Sequence, residues 1–297
     1  MAALEESAIA QTVASEADGS RDPVRILVVG SGKMGEAIVA GWISCKDAPA
    51  DAIDAASVAI ADPGADRRAY MQQTYGVATY PDASQAPVAD IVVLAVKPQV
   101  MMGVLENIAA CETFQGANLP LFVSIAAGIS TAKIEGALPE GAHVVRVMPN
   151  TPLMVGAGAS GVCQGALATT EDVNYVRDLF ACLGEAVIVS EKDMDAVCGV
   201  SGSGPAYVAA MIEALVAAAE NEGLDAVLAE KLATQTVYGT AKLMLDRNQS
   251  AEVTRIAVCS PGGTTLAALD AMHAHGFNDV FQAGVSACVK RSKELGS

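Results

Sequence analysis

Apolar and polar positions follow two different patterns along the first half of the chain. Short runs of consecutive apolar residues, many of them β-branched, are separated by longer segments in which apolar residues recur with helical spacing. Such runs are typical of strands in a parallel sheet, because helices cover both faces of that sheet. Strands that alternate with helices predict an α/β fold with right-handed crossovers. The five predicted strands are 24–29, 58–61, 90–96, 121–125 and 144–148.

The strand pattern ends near residue 190, and only helical patterns follow it. Residues 205–222 are mostly Ala, Val, Ile, Leu and Met, and helical spacing continues over 226–245, 266–273 and 277–295. A helix that is apolar nearly all round must be buried on most sides, and one small helical domain cannot cover it alone. We therefore expect an all-α region that forms a dimer interface.

The composition of the chain indicates which classes of partner it binds and in which cellular compartment it is expected. With 297 residues, 52% of them apolar, the chain is long enough to bury a large core. A net charge of −16 argues against nucleic acid as a partner. No window approaches the roughly 18 uncharged apolar residues of a membrane span. The seven cysteines are scattered without metal-ligand spacing, so we expect reduced thiols, no metal site and a cytoplasmic protein.

A glycine-rich turn follows the first predicted strand and precedes a helical pattern. In that context G-x-G-x-x-G predicts a dinucleotide site, because Gly30 permits the tight turn, Gly32 lets the backbone approach the pyrophosphate, and Gly35 allows close helix–strand packing. The N-terminus of the helix then offers free N–H groups to the phosphates. The residues expected to bind NADH or NADPH here are Gly30, Ser31, Gly32, Lys33, Met34 and Gly35.

The ends of later strands supply further candidate residues. Asp62 stands where an acid binds the ribose 2′-hydroxyl of NAD, yet Arg67 and Arg68 follow closely and could receive the 2′-phosphate of NADP. NADH is slightly favoured and NADPH stays open. Asn150, after the fifth strand, is a candidate contact for the nicotinamide or the substrate. The segment Ala95, Val96, Lys97 and Pro98 closes the third predicted strand at the same edge and is expected to bind the cofactor.

These patterns divide the chain into three predicted regions. Residues 1–22 are rich in Ala, Ser, Glu and Asp and predict a disordered extension, neither a secretion signal nor an Arg-rich transit peptide. Residues 23–190 predict a Rossmann-type NAD(P)-binding domain with a parallel sheet. Residues 191–297 predict an all-α dimerisation and substrate domain.

A second glycine turn, Ser260–Thr265, predicts a site for a small anion. Two glycines free the backbone, and the N–H groups of Gly263, Thr264 and Thr265 are expected to point outward at a helix start, an arrangement that suits a carboxylate. The hydroxyls of Ser260 and Thr265 add hydrogen-bonding groups. A nucleotide site together with an anion site favours a reductase or dehydrogenase that acts on a compact acid.

Six motifs, in order, resemble those of the pyrroline-5-carboxylate reductases over nearly everything after residue 23. They are Gly30–Gly35, Ala95–Gln99, Ser124–Gly128, Met148–Pro152, Ser201–Tyr207 and Ser260–Thr265. The resemblance implies hydride transfer from NAD(P)H to the C=N carbon of 1-pyrroline-5-carboxylate, which gives L-proline in the last step of proline biosynthesis. It also implies a homodimer with active sites at its interface, assembled further into a decamer.

The resemblance also implies roles for individual residues. Thr265 is expected to hydrogen-bond the ring nitrogen as the catalytic residue, and Ala127 to contact the cofactor. The carboxylate of the substrate is expected to be held by Ser260, Gly263 and Thr264. Asp62 replaces the Ser or Thr frequent in the family at that strand end, which puts the cofactor preference in doubt.

Two other functions fit parts of the sequence. A 3-hydroxyacid dehydrogenase of the 6-phosphogluconate type shares the G-x-G-x-M-G start, but it carries a catalytic Lys in the helix that opens its second domain, and 206–220 contains no Lys. A nucleotide-sensing protein whose helices only dimerise would bind the cofactor without turnover. It would leave Ser260–Thr265 unexplained.

Overall fold

The structure, a computed structural model, describes residues 25–45, 53–116 and 118–296. The described chain forms two compact units, one reaching Gly202 and including the segment from Cys288 onward, the other comprising Ser203–Ala287. The expected extension, 1–22, lies outside the described residues. The boundary expected at 190 stays a prediction.

An eight-stranded sheet forms the centre of the first unit, in the order β3-β2-β1-β4-β5-β6-β7-β8. Neighbouring strands are parallel except β6 and β7, which are antiparallel. The strands are β1 (Ile26–Val29), β2 (Val58–Ala61), β3 (Ala78–Tyr80), β4 (Ile91–Leu94), β5 (Leu121–Ser124), β6 (Val144–Met148), β7 (Gly158–Gln164) and β8 (Gly184–Val189).

All five predicted strands are present, and the sheet is mostly parallel, as predicted. Three further strands, β3, β7 and β8, were not predicted, and of the pairings that they form only that of β7 with β6 is antiparallel. The sequence GASGVCQ of β7 has no apolar run that would predict a strand. Its small residues are explained by packing, because a Cβ on Gly161 would lie 2.9 Å from a methyl group of Val197. The close approach of α6 therefore requires a small residue at this position of β7, whereas a strand is predicted from large apolar residues.

Eleven helices accompany the sheet or follow it within the described residues. Six belong to the first unit: α1 (Lys33–Ser44), α2 (Ala65–Tyr75), α3 (Pro98–Ala110), α4 (Thr131–Glu135), α5 (Thr170–Ala181) and α6 (Met194–Val197). A short π-helical turn, Cys198–Gly202, follows α6. Four belong to the second unit, and a fifth begins there: α7 (Gly204–Asn221), α8 (Ala226–Arg247), α9 (Ala251–Ala257), α10 (Thr264–Ala274) and α11 (Phe277–Gly296).

The core of the first unit lies on both faces of the sheet. Every residue of β1 and β4 is buried, as expected for parallel strands covered by helices. On one face Trp42 of α1 is fully buried, meets Phe180 edge to face at 5.7 Å and donates its indole N–H to the carbonyl of Leu179 at 2.8 Å. This packing fixes α1 against α5 and so fixes the position of the glycine turn.

The end of α11 packs within the first unit. Ser292, almost fully buried, donates a hydrogen bond of 2.6 Å to the carboxylate of Asp195, and Lys133 donates to the carbonyl of Gly296 at 3.3 Å. Gly128, with a φ of +77°, lies so close that an added Cβ would be 2.9 Å from the carbonyl oxygen of Ser292. The loop after β5 and the last turns of α11 are therefore in direct contact.

The second unit is helical throughout and exposes many large apolar side chains. Val227 and Leu245 of α8 are 76% and 81% exposed, and Val280 of α11 is 69% exposed. A cavity of about 510 Å³ lies between α7, α10 and α11 and is lined mainly by Tyr207, Met211, Met272, Phe277 and Phe281. So many exposed large apolar side chains on one unit favour an interaction with another protein surface.

In the part of the chain that the structure describes, one helical run meets the length and composition of a membrane span. This run, Glu191–Asn221, contains charged residues such as Asp195 and Glu213. Helices of soluble proteins can have the same length and composition, so the match is weak evidence for a membrane. The run lies where the sequence predicted a helix apolar nearly all round.

Candidate active site

The glycine turn lies at the carboxyl edge of the sheet where the strand order reverses. The chain runs from β1 outward to β3 and then returns to β4 on the other side of β1, so the turns after β1 and β4 border one crevice. Ligands of open α/β sheets bind at such a switch point. The structure thus brings Gly30–Gly35 and Ala95–Pro98 together, as the sequence predicted.

Two glycines of the turn are required by packing. Gly30 has a φ of +96°, and an added Cβ would be 2.8 Å from the carbonyl oxygen of Ala95. A Cβ on Gly35 would lie 2.3 Å from the carbonyl oxygen of Gly30. These contacts bring the start of α1 against the end of β1.

Gly32 is the glycine that faces open space. A Cβ there would meet no atom within 4 Å, and its backbone has the ordinary φ of −62°. Neither fold strain nor packing therefore explains this glycine. Open space before the first turn of a helix fits a pyrophosphate, which the N–H groups of that turn would hold.

Asp62 at the end of β2 is hydrogen-bonded to the glycine turn. Its Oδ2 accepts from the backbone N–H of Ser31 at 2.9 Å and from the Ser31 hydroxyl at 2.8 Å, and its Oδ1 accepts from the N–H of Gly64 at 2.9 Å. Partial burial raises the pKa of the Asp62 carboxyl, but these hydrogen bonds outweigh it and hold the pKa below its ordinary value. Asp62 is therefore an anion beside the expected ribose.

Glu36 connects α1 to α2 through three donors, and the sequence argument did not single it out. It forms an ion pair with Arg67 and accepts from the hydroxyls of Tyr70 at 2.8 Å and Tyr75 at 2.9 Å. Arg67 also donates to the carbonyl of Ser31 and lies 4.9 Å from the centre of the Tyr70 ring. The sequence feature that could have indicated this ion pair is the acid directly after Gly35, together with Arg67 after the second predicted strand.

The remaining residues expected to bind the cofactor line the same edge. Ala95 donates its N–H to the carbonyl of Val29 at 2.8 Å, which continues the β1–β4 pairing into the loop. Lys97 is exposed and precedes the first residue of α3, Pro98. Ala127 lies in the loop after β5. Except for Lys97, the side chains of these residues are apolar or small. A cofactor at this edge of the sheet would therefore contact mainly backbone groups and apolar surface.

Asn150 has structural partners on both sides of its amide. Its Nδ2 donates to the carbonyl of Ser201 at 3.0 Å, and its Oδ1 accepts from the N–H of Ala159 at 2.8 Å. The side chain is buried and holds the loop after β6 against the start of β7 and the π-helical turn. A contact between Asn150 and the substrate stays a prediction.

Ser260–Thr265 belongs to the second unit, where it opens α10. Gly262 has a φ of +70°, and the N–H of Gly263 donates to the carbonyl of Ser260 at 2.9 Å, which closes a tight turn. That N–H is therefore occupied, contrary to the expectation that it points outward. Thr264 and Thr265 occupy the first two helical positions, whose N–H groups have no acceptor within the helix.

Comparison with known proteins identifies the family. A family profile described as pyrroline-5-carboxylate reductase dimerisation matches residues 191–295, and one described as NADP oxidoreductase, coenzyme F420-dependent, matches residues 25–128. A pyrroline-5-carboxylate reductase from Synechocystis is 41% identical over 275 residues, which cover 92% of this chain and 98% of the relative. The chain belongs to the pyrroline-5-carboxylate reductase family.

Solved structures of pyrroline-5-carboxylate reductases have the same fold. The enzyme from Coxiella burnetii is 34% identical with a TM-score of 0.82, covering 93% of this chain and 100% of that one. The Plasmodium falciparum enzyme, solved with NADP bound, is 29% identical with a TM-score of 0.79, covering 92% and 98%. The family and the fold class expected from the sequence, a Rossmann-type domain followed by an all-α dimerisation domain, are confirmed.

Proposed function

We propose that this protein reduces 1-pyrroline-5-carboxylate to L-proline with NADH or NADPH, the final step of proline biosynthesis. The observation that carries the proposal is the open space in front of Gly32 at the switch point of the sheet, in a chain that belongs to this family. It explains a glycine that neither packing nor backbone strain requires.

The reaction places few demands on side-chain acids and bases. NAD(P)H, when bound, supplies a hydride from C4 of its nicotinamide to the C=N carbon, while the ring nitrogen gains a proton. A protonated imine is already electrophilic, so orientation beside the cofactor supplies much of the rate enhancement. Residues that bind and orient are therefore sufficient, and water is an adequate source of the proton.

The substrate contacts that we propose lie at the start of α10. The N–H groups of Thr264 and Thr265 and the hydroxyl of Ser260 would hold the carboxylate, with Gly263 allowing its close approach. Thr265 would hydrogen-bond the ring nitrogen through its hydroxyl and orient the imine. Threonine is too weak an acid to be the main proton donor, so Thr265 acts as an orienting group or a relay.

The assembly that we propose is a homodimer formed by the second unit, with further association into a decamer. The exposed apolar side chains of α8 and α11 and the match of 191–295 to a dimerisation family support it. A cytoplasmic location is supported by the cysteines, since all seven lie in the described residues and none of them forms a disulfide there. The net charge of −16 supports the expectation of no nucleic-acid partner.

The test follows the oxidation of NADH and of NADPH separately, each with pyrroline-5-carboxylate at matched concentrations. We expect turnover, with formation of proline equal to the nucleotide consumed. Binding of both nucleotides without turnover would instead favour a nucleotide-sensing protein. A control reaction with a 3-hydroxyacid and the oxidised nucleotides tests the dehydrogenase alternative.

A further inference from the structure

Two carboxylates and two arginines lie near the end of β2, at the position expected for the adenosine ribose. Asp62 and Glu36 both lie within contact of the glycine turn or its helix, and Arg67 lies between them. Burial raises the pKa of the Glu36 carboxyl, but hydrogen bonds from Arg67, Tyr70 and Tyr75 outweigh it, so its pKa is below the ordinary value. Both carboxyls are therefore ionised at neutral pH, and the guanidinium of Arg67 lies close to both anions.

The hydrogen bonds of Asp62 leave room for one more donor. A carboxylate has about four acceptor positions, and Ser31 and Gly64 occupy three of them on Asp62. A ribose 2′-hydroxyl can donate to the remaining position. A 2′-phosphate is mostly deprotonated at neutral pH and carries a charge of about −1.5 to −2. It therefore has little to donate to this carboxylate and is repelled by it.

Arg67 is the cation that would otherwise attract a 2′-phosphate, and its charge is already compensated. It pairs with Glu36, donates to the carbonyl of Ser31 and packs on the Tyr70 ring. Arg68 is directed elsewhere, with Nη1 donating to the carbonyls of Asp62 and Pro63 at 2.7 and 2.9 Å. A 2′-phosphate would have to compete with a carboxylate that three donors hold in place.

We infer that Glu36 is a specificity-determining residue that withholds Arg67 from the cofactor, and that this residue and Asp62 together make the protein prefer NADH to NADPH. Glu36 acts through Arg67 and is a positioning residue with no contact of its own to the ribose. Asp62 excludes the 2′-phosphate directly. The inference rests on the proposed function, because it concerns the nucleotide site of that reaction.

Nucleotide affinity measured without substrate tests the inference. Trp42, the only tryptophan, is buried on α1, so quenching of its fluorescence reports binding of NADH and NADPH. Like charges brought together across an interface weaken binding, so NADH should bind wild type at least about tenfold more tightly than NADPH. Calorimetry with 5′-AMP and adenosine 2′,5′-bisphosphate isolates the effect of the 2′-phosphate.

The variant Glu36→Gln tests whether nucleotide preference depends on the pairing of Arg67 or only on the net charge of the surface. The amide has a single oxygen, which can accept either from Arg67 or from the two tyrosines, and it carries no charge, so it holds Arg67 less firmly. Affinity for NADPH should therefore rise about threefold to tenfold while that for NADH changes little. Asp66→Asn is the matched control, since it removes one charge from an exposed residue next to Arg67 in sequence. It should leave the NADPH/NADH ratio nearly unchanged.

Two results would overturn the inference. One is a wild-type protein that binds NADPH as tightly as NADH, a result that needs no variant and holds even if Glu36→Gln fails to fold. The other is an equal change of the ratio in Glu36→Gln and Asp66→Asn, which would assign the effect to net charge. Both concern binding alone, whereas absence of turnover with either nucleotide would contradict the proposed function.

Discussion

At the scale of single residues, the proposed function depends on backbone groups and on carboxylates whose protonation is fixed by hydrogen bonds. Thr264 and Thr265 have N–H groups at a helix start, which we propose to bind the substrate, and Asp62 accepts hydrogen bonds from Ser31 of the glycine turn. A site of this kind changes little with pH near neutrality, because its acids are already ionised. Its sensitivity is confined to acid conditions and to the loss of single hydroxyls.

We predict that Thr265→Ala lowers kcat about 10- to 100-fold by loosening the orientation of the imine. The dissociation constants of NADH and NADPH should stay within the error of wild type, since the change lies in the second unit. Thr265→Ser keeps a hydroxyl and should restore most of kcat. An unchanged kcat in the alanine variant would remove Thr265 from the mechanism.

Asp62 should contribute to stability at neutral pH and lose that contribution in acid. Its pKa is lower in the folded than in the unfolded chain, so the stabilisation is complete above the unfolded pKa and is lost as pH falls through the folded pKa. We expect Asp62→Asn to cost about 1 kcal/mol at pH 7, a low value because the carboxylate is partly solvated. Urea unfolding at pH 7 and at successively lower pH should show the difference shrink as pH falls through the folded pKa, and a difference that stays constant down to that pKa and below it would contradict this origin.

At the scale of elements, the β1–α1 unit combines one glycine needed for the fold with one needed for the ligand. Gly35 allows α1 to approach Gly30, whereas Gly32 leaves space open. The same hexapeptide therefore carries two separable requirements. Substitution by the same small residue at each position distinguishes them.

Gly35→Ala should destabilise the protein by about 1–3 kcal/mol, because the new methyl group would overlap a backbone carbonyl. Gly32→Ala should leave the unfolding midpoint unchanged or slightly raised, yet weaken NADH binding about tenfold or more by filling the space before the helix. Thermal unfolding and fluorescence titration of both variants make the comparison. Equal loss of stability in the two would show that Gly32 also serves the fold.

The sequence predicted the elements whose cause is local and missed those whose cause is tertiary. Buried parallel strands such as β1 and β4 show as apolar runs, and the glycine turn shows as a motif with a strand before it. In contrast, β7 has no apolar run, and its Gly161 lies where a side chain would overlap Val197 of α6. The role of Glu36 depends on tertiary contacts, because Arg67 and two tyrosines of α2 reach it only in the folded chain.

At the scale of the whole molecule, the second unit leaves many of its large apolar side chains exposed within a single chain. Exposed side chains on α8 and α11 and the 510 Å³ apolar cavity belong to the same unit. A second copy of that unit is the partner proposed above. Association is then part of the stability of the protein, which will depend on its concentration.

Val280→Asp should therefore shift the protein toward monomer, because it introduces an unpaired charge into an apolar interface. Light scattering coupled to size exclusion measures the change, and kcat should fall with it if active sites form at the interface. Val88→Glu, at a half-exposed position of the first unit, serves as the control and should keep the assembly of wild type. A dimer that survives Val280→Asp would place the interface elsewhere.

The contact of the last turns of α11 with the loop after β5 has a consequence for biosynthesis. Ser292 and Gly296 complete the packing of the first unit, but they leave the ribosome only after every residue of Ser203–Ala287 has been made. Domains ordinarily fold one after another during synthesis, beginning at the N-terminus. We therefore expect the packing of the first unit to be completed only after the second unit has been synthesised.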